Sequence, residues 1–547
     1  MCGLFALLGE VGEVSDEAGI VELVGKISYR GPDNSTYKKI SDNVLMGFHR
    51  LSIMDESELG NQPMVHPDDS SITIICNGEI YNYNELKDLY GIKTRSDSDC
   101  EVILHLYKMM PMKELLSKLD GVFAFVISDT TKDVVYAARD SIGVRPLFIG
   151  KSKGGRVAFS SEAKSIVGLS KSVKQFPPGT FWESTLPTAY VKFYNYRYRK
   201  LKSNDESEIC KNINELLTSA VRKRLMSDRE IGCLLSGGLD SSLIASLVQR
   251  DITNHSKKSS GPSCCVVPKR IKTFSIGMAG SPDLKYAKKV ALWIGSEHHE
   301  VLLEPQDFLD AIREVIYKIE SYDTTTVRAS VGNYLVSKYI KENTDCKVIF
   351  NGDGADEVCA GYVYNKDAPT PSDLQKESVR LVKELHYFDV LRSDRSISSN
   401  GLEPRTPFLD VGFVNYYMSI PPELKSFDKV STIEKRLLRK AFSGQNLLPE
   451  DVLWRDKCAF SDGVSSAKNS WHKLIQNYVD SIISDEEFES QSGKIKHCKP
   501  LLKESLYYRN VYREFFEGSD KLIPHFWMPQ WTDVIDPSAR ELSGYKE

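Results

Sequence analysis

Two hydrophobic periods divide the chain. Up to about residue 200, apolar residues come in short runs or alternate with polar ones, as in Val44–Phe48, Ser71–Cys76, Val122–Ser128, Val134–Ala138 and Val157–Ser160. Runs of that length bounded by turn residues predict strands. Helical spacing interrupts them at Asp16–Tyr29, Tyr83–Tyr90 and Asp99–Met109, which predicts a layered α+β domain over residues 2–200. Pro177-Pro178-Gly179 marks a turn, and Tyr190–Asp205, dense in Tyr, Lys and Arg, is the expected boundary. From Glu206 the period becomes 3.6, with Ile209, Ile213, Leu216, Leu217 and Val221 on one face. Strand-like and helical segments then alternate through Ile231–Leu235, Ile271–Ile276, Leu284–Leu292, Phe308–Ile319, Ser330–Tyr339 and Val348–Phe350. That pattern predicts an α/β parallel sheet with helices on both faces in a second domain, 206–536, whose last part from Asp373 is helical. Residues 254–269 read as a mobile surface loop, and 537–547 as a frayed tail.

One turn concentrates chemistry. Ser236-Gly237-Gly238 follows the strand Ile231–Leu235, and Asp240-Ser241-Ser242 opens the next helix. Two glycines admit close backbone approach, three hydroxyls can donate, and a helix N-terminus adds partial positive charge, so the turn suits phosphate. Asp240 could hold Mg²⁺ there. No lysine follows the glycines, which excludes the P-loop.

Composition narrows the class. The 71 basic and 75 acidic residues leave a formal charge of −4, without a polyanion-binding footprint, so no nucleic-acid partner is expected. No apolar run reaches membrane-span length, and the start lacks a basic n-region. Eleven cysteines without a CxxC pair read as thiols of a reducing cytosol, hence a cytoplasmic protein. A homodimer is left open.

Cys2 becomes terminal if Met1 is removed, and a terminal cysteine carries a thiol nucleophile with its own α-amine as base. Its companions are Arg30-Gly-Pro-Asp33, Arg50-Leu-Ser-Ile53, Asn77-Gly-Glu-Ile-Tyr-Asn82 and Ser98-Asp99. Over residues 2–190 these motifs, in this order, resemble the glutaminase domain of class II glutamine amidotransferases, an N-terminal nucleophile hydrolase sandwich of αββα type. The resemblance implies that Cys2 attacks glutamine, with Asn77 and Gly78 as oxyanion donors. It also implies that Arg50 pairs with the α-carboxylate, Glu79 and Asp99 receive the α-ammonium, and Leu51, Ser52, Ile53 and Met54 complete the clamp.

The turn at Ser236–Ser242 resembles the pyrophosphate loop of the N-type ATP pyrophosphatases. A second acidic turn, Asn351-Gly-Asp-Gly-Ala-Asp-Glu357, follows the strand ending at Phe350. With Pro404-Arg-Thr-Pro-Phe-Leu-Asp410 and Trp454-Arg-Asp-Lys457, the whole chain resembles the glutamine-hydrolysing asparagine synthetases. Implied roles are ATP binding by Leu234, Ser236, Gly237, Gly238, Asp240, Ser241, Ser242, Ile276, Asn351 and Gly352. Asp240 and Asp356 would bind Mg²⁺, Asp353 would manage the adenylate and ammonia, and Lys457 would support phosphate charge. The implied substrates are aspartate, glutamine and ATP. The family usually reads Ser-Gly-Glu-Gly-Ser-Asp-Glu in the acidic turn, so Asp353 is one methylene shorter and Asn351 replaces serine. Its two glycines before tyrosine are Ala360-Gly361 here. A relative acting on another carboxylic acid and a non-catalytic nucleotide or glutamine sensor remain the rivals. His298-His299 receives no role, and Arg405 and Asp410 are either structural ion-pair residues of a helical corner or substrate contacts.

Overall fold

The structure is a computed structural model describing all residues except 10–13, 153, 171, 197, 259–269, 429–431, 467–468 and 543–547; side chains of 14–17 and 255–258 are also outside it. Among the described residues, twelve strands build the first half: β1 (Gly3–Leu8), β2 (Asn34–Ser41), β3 (Val44–Arg50), β4 (Met64–His66), β5 (Asp69–Ile80), β6 (Gly121–Asp129), β7 (Val134–Arg139), β8 (Phe148–Lys151), β9 (Val157–Ser160), β10 (Val173–Gln175), β11 (Thr180–Glu183) and β12 (Tyr190–Lys192). They form two sheets, ordered β10-β8-β9-β1-β3-β2 and β12-β11-β7-β6-β5-β4, with antiparallel pairing.

Alternation assigns each side chain to a layer. Leu4, Ala6 and Leu8 of β1 join Ile75, Ala124 and Val126 between the sheets. Phe5 and Leu7 point the other way, onto Ile20, Val24 and Ile166 of the outer helices. On the opposite side Phe123, Phe125 and Ile127 of β6 pack under the helices Tyr83–Tyr90, Glu101–Met109 and Met112–Lys118. The result is the expected αββα sandwich, with a strand buried on both faces reading as one apolar run.

The second half holds β13 (Ile231–Leu234), β14 (Lys272–Gly277), β15 (Glu297–Leu302), β16 (Val348–Phe350) and β17 (Glu403–Arg405), all parallel, in the order β15-β14-β13-β16-β17. Helices Glu206–Lys223 and Leu239–Lys258 cover one face, and Pro305–Ile319 and Thr324–Asn343 the other. The strand order reverses at β13, so the loops leaving β13 and β16 open a crevice at their carboxyl ends.

Three expectations change. Residues 403–405, read as part of a helical region, form the edge strand β17, because Glu403, Pro404 and Arg405 pair with Val348–Phe350. The helix Leu239–Lys258 continues through the first residues of the expected loop, and 259–269 lie outside the described residues. The tail does not fray at 536: Asp536 and Ser538 are buried, a 3-10 turn spans Ala539–Glu541, and only 543–547 lie outside the described residues.

Arg328 anchors that tail. Its guanidinium, buried, donates to Glu504 at 2.8 and 2.5 Å and to Asp536 at 2.7 and 2.9 Å. Arg328→Met leaves two buried carboxylates without their cation, which costs about 3–5 kcal/mol. A lower thermal midpoint and faster carboxypeptidase trimming past Asp536 are the expected results, and an unchanged midpoint would refute them.

Candidate active site

Cys2 stands immediately before β1, between the ends of β3 and β5. Its backbone N–H donates to Asn77 Oδ1 at 3.0 Å, and the Leu51 N–H approaches Sγ at 3.5 Å. Burial pushes the thiol pKa up, so attack needs a base beside it. The Met1 amine, also buried, lies 3.6 Å from Glu403 of β17. Asn77 and Gly78 sit inside β5, opposite Ala124 and Phe123, and not in the hairpin turn that Asn-Gly more often marks. The buried Nδ2 of Asn77 has no protein acceptor, as an oxyanion donor requires. A Cβ at Gly78 would fall 2.4 Å from the Val122 carbonyl oxygen, so only glycine fits.

The loop after β3 wraps Arg50. Nη1 donates to the Ser57 carbonyl at 2.7 Å and Asn61 Oδ1 at 2.9 Å, while Nη2 donates to the carbonyls of Asp55 and, at 3.4 Å, Met54. Ser52 N–H donates to Asp33 at 2.8 Å, which fixes Leu51–Met54 beside the thiol. Two buried carboxylates complete this end. Glu79 lies 3.3 Å from Arg405, and burial raises its pKa well above the carboxylate range. Asp99 accepts the Ile80 N–H at 2.6 Å and is pushed up to about 6, mainly by burial.

Asp99 sets a pH expectation. Its carboxylate is charged above about 6 and protonated below, and only the charged form holds an ammonium. On the glutamine-binding role that the resemblance implies for Asp99, the KM for glutamine should rise as pH falls through that value, with kcat changing less. Asp99→Asn should remove the pH limb and raise KM at every pH; a limb that persists in the variant would exclude Asp99.

At the carboxyl edge of the parallel sheet the two loops touch backbone to backbone. A Cβ at Gly352 would lie 2.8 Å from the Ser241 nitrogen. Ser236 Oγ is 3.0 Å from Ser241 Oγ, and the Gly238 N–H donates to Ser236 Oγ at 3.3 Å. Gly237 has φ +74°, and a Cβ there would meet Ala287 N at 2.4 Å. A cavity of about 220 Å³ opens here, lined by Leu234, Ser236, Gly238, Asp240, Ser241, Ile276, Asn351, Gly352, Asp353, Asp356 and Lys457 among others. Gly237 and Ser242 are outside the lining: Gly237 backs onto Tyr286, and Ser242 is fully buried in the helix behind the turn.

Two lysines knit the carboxylates together. Lys435 Nζ is 2.6 Å from both Asp240 Oδ2 and Asp356 Oδ1. Lys457 Nζ is 2.5 Å from Asp356 and 3.9 Å from Asp240. Despite burial, the lysines hold the Asp356 carboxyl far below the carboxylate range, and the carboxylates raise Lys457. Lys435 escaped the sequence reading, since nothing local in Glu434-Lys435-Arg436 marks it; it takes φ +56° at a helix start. Arg392 and Asp389 were missed for the same reason.

Asp353 Oδ1 pairs with Arg392 Nη2 at 2.9 Å, and its other oxygen, buried, has no partner. Arg392 also pairs with Asp389 at 3.1 Å, and Tyr362 OH donates to Glu357 and Asp389 at 2.6 and 3.0 Å. Burial and the neighbouring Asp389 raise the Glu357 pKa well above the carboxylate range. Asn351 donates to Ser393 Oγ at 2.8 Å and accepts the Asp353 N–H at 3.3 Å, which ties the acidic turn to the helix behind it. His298 is held by Thr273 and Ser275 hydroxyls on β14 at 3.0 and 3.1 Å and does not itself line the cavity. Asp410 caps the helix Val411–Ser419 and pairs with Lys223 and Arg224 at 2.5 and 2.8 Å, a structural role.

An αββα sandwich with Cys2 before its first strand, joined to a parallel sheet with a crevice at its carboxyl edge, is the architecture of an ATP-dependent glutamine amidotransferase. Comparison with known proteins specifies the family. The glutamine amidotransferase domain family matches residues 1–216, and the asparagine synthase family matches 212–373 and 365–535. Over alignments 574 positions long, gaps included, the chain is 43% identical to the asparagine synthetase [glutamine-hydrolyzing] of Gallus gallus, 43% to that of Cricetulus griseus and 42% to that of Homo sapiens. Each alignment covers 100% of this chain and 99% of the relative. The chain belongs to the glutamine-hydrolysing asparagine synthetases, which are ligases.

Proposed function

We propose that the chain converts aspartate, glutamine, ATP and water to asparagine, glutamate, AMP and diphosphate. The observation that carries the reading is two separate sites, one suited to release ammonia and one to activate an acid, joined by a single buried apolar cluster. Leu51 and Ile53 beside Cys2 share that cluster with Val122, Ile142, Val144, Ala355 and Leu409 towards the acidic turn. Apolar surroundings favour neutral ammonia over ammonium, so transfer inside the protein limits its loss by protonation.

At the first site, with Met1 removed, the Cys2 α-amine takes the thiol proton and hands it to the leaving nitrogen, Cys2 Sγ attacks the side-chain carbonyl of glutamine, and Asn77 Nδ2 and the Gly78 N–H receive the oxyanion. Ammonia leaves, and water then hydrolyses the thioester to glutamate. Arg50 is assigned to the α-carboxylate and the charged form of Asp99 to the α-ammonium, with Glu79, which burial pushes towards its neutral form, accepting from it beside Asp99. At the second site, the aspartate β-carboxylate displaces diphosphate from the α-phosphorus of ATP. The turn Ser236–Ser242 receives the diphosphate, and Leu234, Ile276 and Gly352 face the nucleoside. Ammonia attacks the β-aspartyl adenylate, AMP leaves, and Asp353, whose unpartnered oxygen supports this role, takes the proton.

The donor set also fits Mg²⁺. Among the described residues no cluster of three or more His, Cys, Asp or Glu forms a closed metal site. Mg²⁺ instead uses one or two carboxylates plus substrate phosphates, and Asp240 Oδ1, buried, has no protein partner. Asp240 and Asp356 would hold it, and the ion would neutralise phosphate charge.

No helix among the described residues is long and apolar enough to cross a membrane, and the described cysteines are free thiols, which supports a cytoplasmic location. Purified chain with aspartate, glutamine, ATP and Mg²⁺ should form asparagine, AMP and diphosphate in equal amounts. Diphosphate exchange with a carboxylic acid other than aspartate alone would overturn the substrate assignment.

A further inference from the structure

The second half of the chain reaches into the first site. Arg30, fully buried, donates from Nε to the Cys2 carbonyl oxygen at 3.0 Å. Its Nη1 donates to Glu162 at 2.6 Å, to Asp394 at 3.0 Å and to Ser398 at 2.9 Å, and its Nη2 donates to Asp394 at 3.2 Å. Asp394 and Ser398 belong to the helix Asp389–Ser398, the same element that carries Arg392 to the acidic turn.

Geometry separates the two carboxylates on Arg30. Glu162 meets one nitrogen and leaves the guanidinium free to rotate about that contact. Asp394 spans Nη1 and Nη2 with its two oxygens, the fork arrangement that fixes the guanidinium plane. Once the plane is fixed, so is the direction of Nε, and with it the Cys2–Gly3 peptide from which the Cys2 side chain projects. The packing is tight here, since a Cβ at Gly3 would lie 2.9 Å from the Ile27 carbonyl oxygen. A second contact runs the same way, from Arg405 of β17 to Glu79 at 3.3 Å.

We infer that Asp394 is a positioning residue for the Cys2 nucleophile, acting through Arg30 from the other half of the chain. The inference rests on Cys2 being the glutaminase nucleophile. The contacts that Arg30 keeps make it testable in the full chain, with the thermal midpoint recorded because Asp394→Asn leaves one buried cation in excess. Arg30, Lys164 and Arg395 face Glu162, Glu320 and Asp394 in one buried group. After Asp394→Asn, Arg30 keeps its Glu162 contact, and the amide still offers one acceptor.

The experiment uses the full chain. In Asp394→Asn, kcat for glutamine hydrolysis should fall by about 10²-fold, the effect of displacing a reacting group by roughly 1 Å. The KM for glutamine should hold within about twofold, because Arg50, Glu79 and Asp99 are untouched. Ammonia-driven asparagine formation should also hold, alkylation of Cys2 by iodoacetamide should slow with glutaminase activity, and Asp394→Glu should recover part of both. Unchanged glutamine hydrolysis in Asp394→Asn would overturn the inference. So would an equal loss of ammonia-driven synthesis, which would mark a general structural defect. A wild-type chain without glutaminase activity would overturn the reading of Cys2 itself, and this inference with it.

Discussion

Lys435→Met should lower asparagine formation by about 10²–10³-fold, equally with glutamine and with ammonia, as loss of a preorganised charge at a reacting phosphate does. Lys435 bridges Asp240 and Asp356 at 2.6 Å each, and Lys457 reaches only Asp356 closely. Without Lys435, Asp240 keeps a cation at 3.9 Å, and the two carboxylates repel across the mouth of the phosphate turn. Local packing makes the position exacting. A Cβ at Gly361 would lie 1.9 Å from Lys435 Cε, so the lysine runs through a slot that exists only because residue 361 is glycine. The neighbouring Ala360 takes φ +55°, where the family often has glycine, a conformation costing an alanine about 1 kcal/mol. Lys435→Arg should therefore fail to rescue, since the bulkier fork does not fit the slot. Aspartate-dependent diphosphate exchange measures the loss, and glutamine hydrolysis, distant from Lys435, should stay within about twofold. Ammonia-driven synthesis above a tenth of wild type in Lys435→Met would refute the bridging role.

Local signals in the sequence revealed much of the fold and one side of each site. Short alternating runs marked β3, β5, β6, β7 and β9, and the change to a 3.6 period marked the helix Glu206–Lys223. β1 is harder to read because its residues are apolar on both faces, filling two layers, so no alternation shows. β17 hides behind Pro404 and two charged residues; its burial comes from ion pairs such as Glu403 with Arg405 at 2.9 Å, and not from apolar side chains. The turns bearing Ser236–Ser242 and Asn351–Glu357 stood out because small and acidic residues crowd a few positions. Their partners did not. Lys435 and Arg392 each contribute one cation from ordinary-looking helices, and the pairing distance spans 195 residues for Lys435–Asp240 and 39 for Arg392–Asp353. Such pairs are specified by tertiary packing, which a period or a local motif does not record. The altered acidic turn also gains a reason: Asn351 and Arg392 hold the shorter Asp353 against the helix Asp389–Ser398.

Cys2→Ala should abolish glutamine-driven synthesis, with glutamine hydrolysis down by about 10⁴-fold or more, the scale seen when a covalent nucleophile is removed. Ammonia-driven synthesis should persist within about twofold, because the substitution leaves the second site's residues in place. The structural perturbation is small: the hydrogen bonds of Cys2 Sγ go to the Leu51 backbone, at 3.5 and 3.7 Å, its side chain packs at the margin of the inter-sheet core, and the contacts to Asn77 and Arg30 use Cys2 backbone atoms that alanine retains. The pH profiles sharpen the contrast. Burial raises the Cys2 thiol, so glutamine-driven turnover depends on a neighbouring base and on Asp99 staying charged. Ammonia-driven turnover in Cys2→Ala should instead climb with pH as the free-base fraction of ammonia grows, with no limb near 6. Loss of both reactions in Cys2→Ala would show that the first site is needed for the second to form. Retention of glutamine hydrolysis would show that the nucleophile is another group.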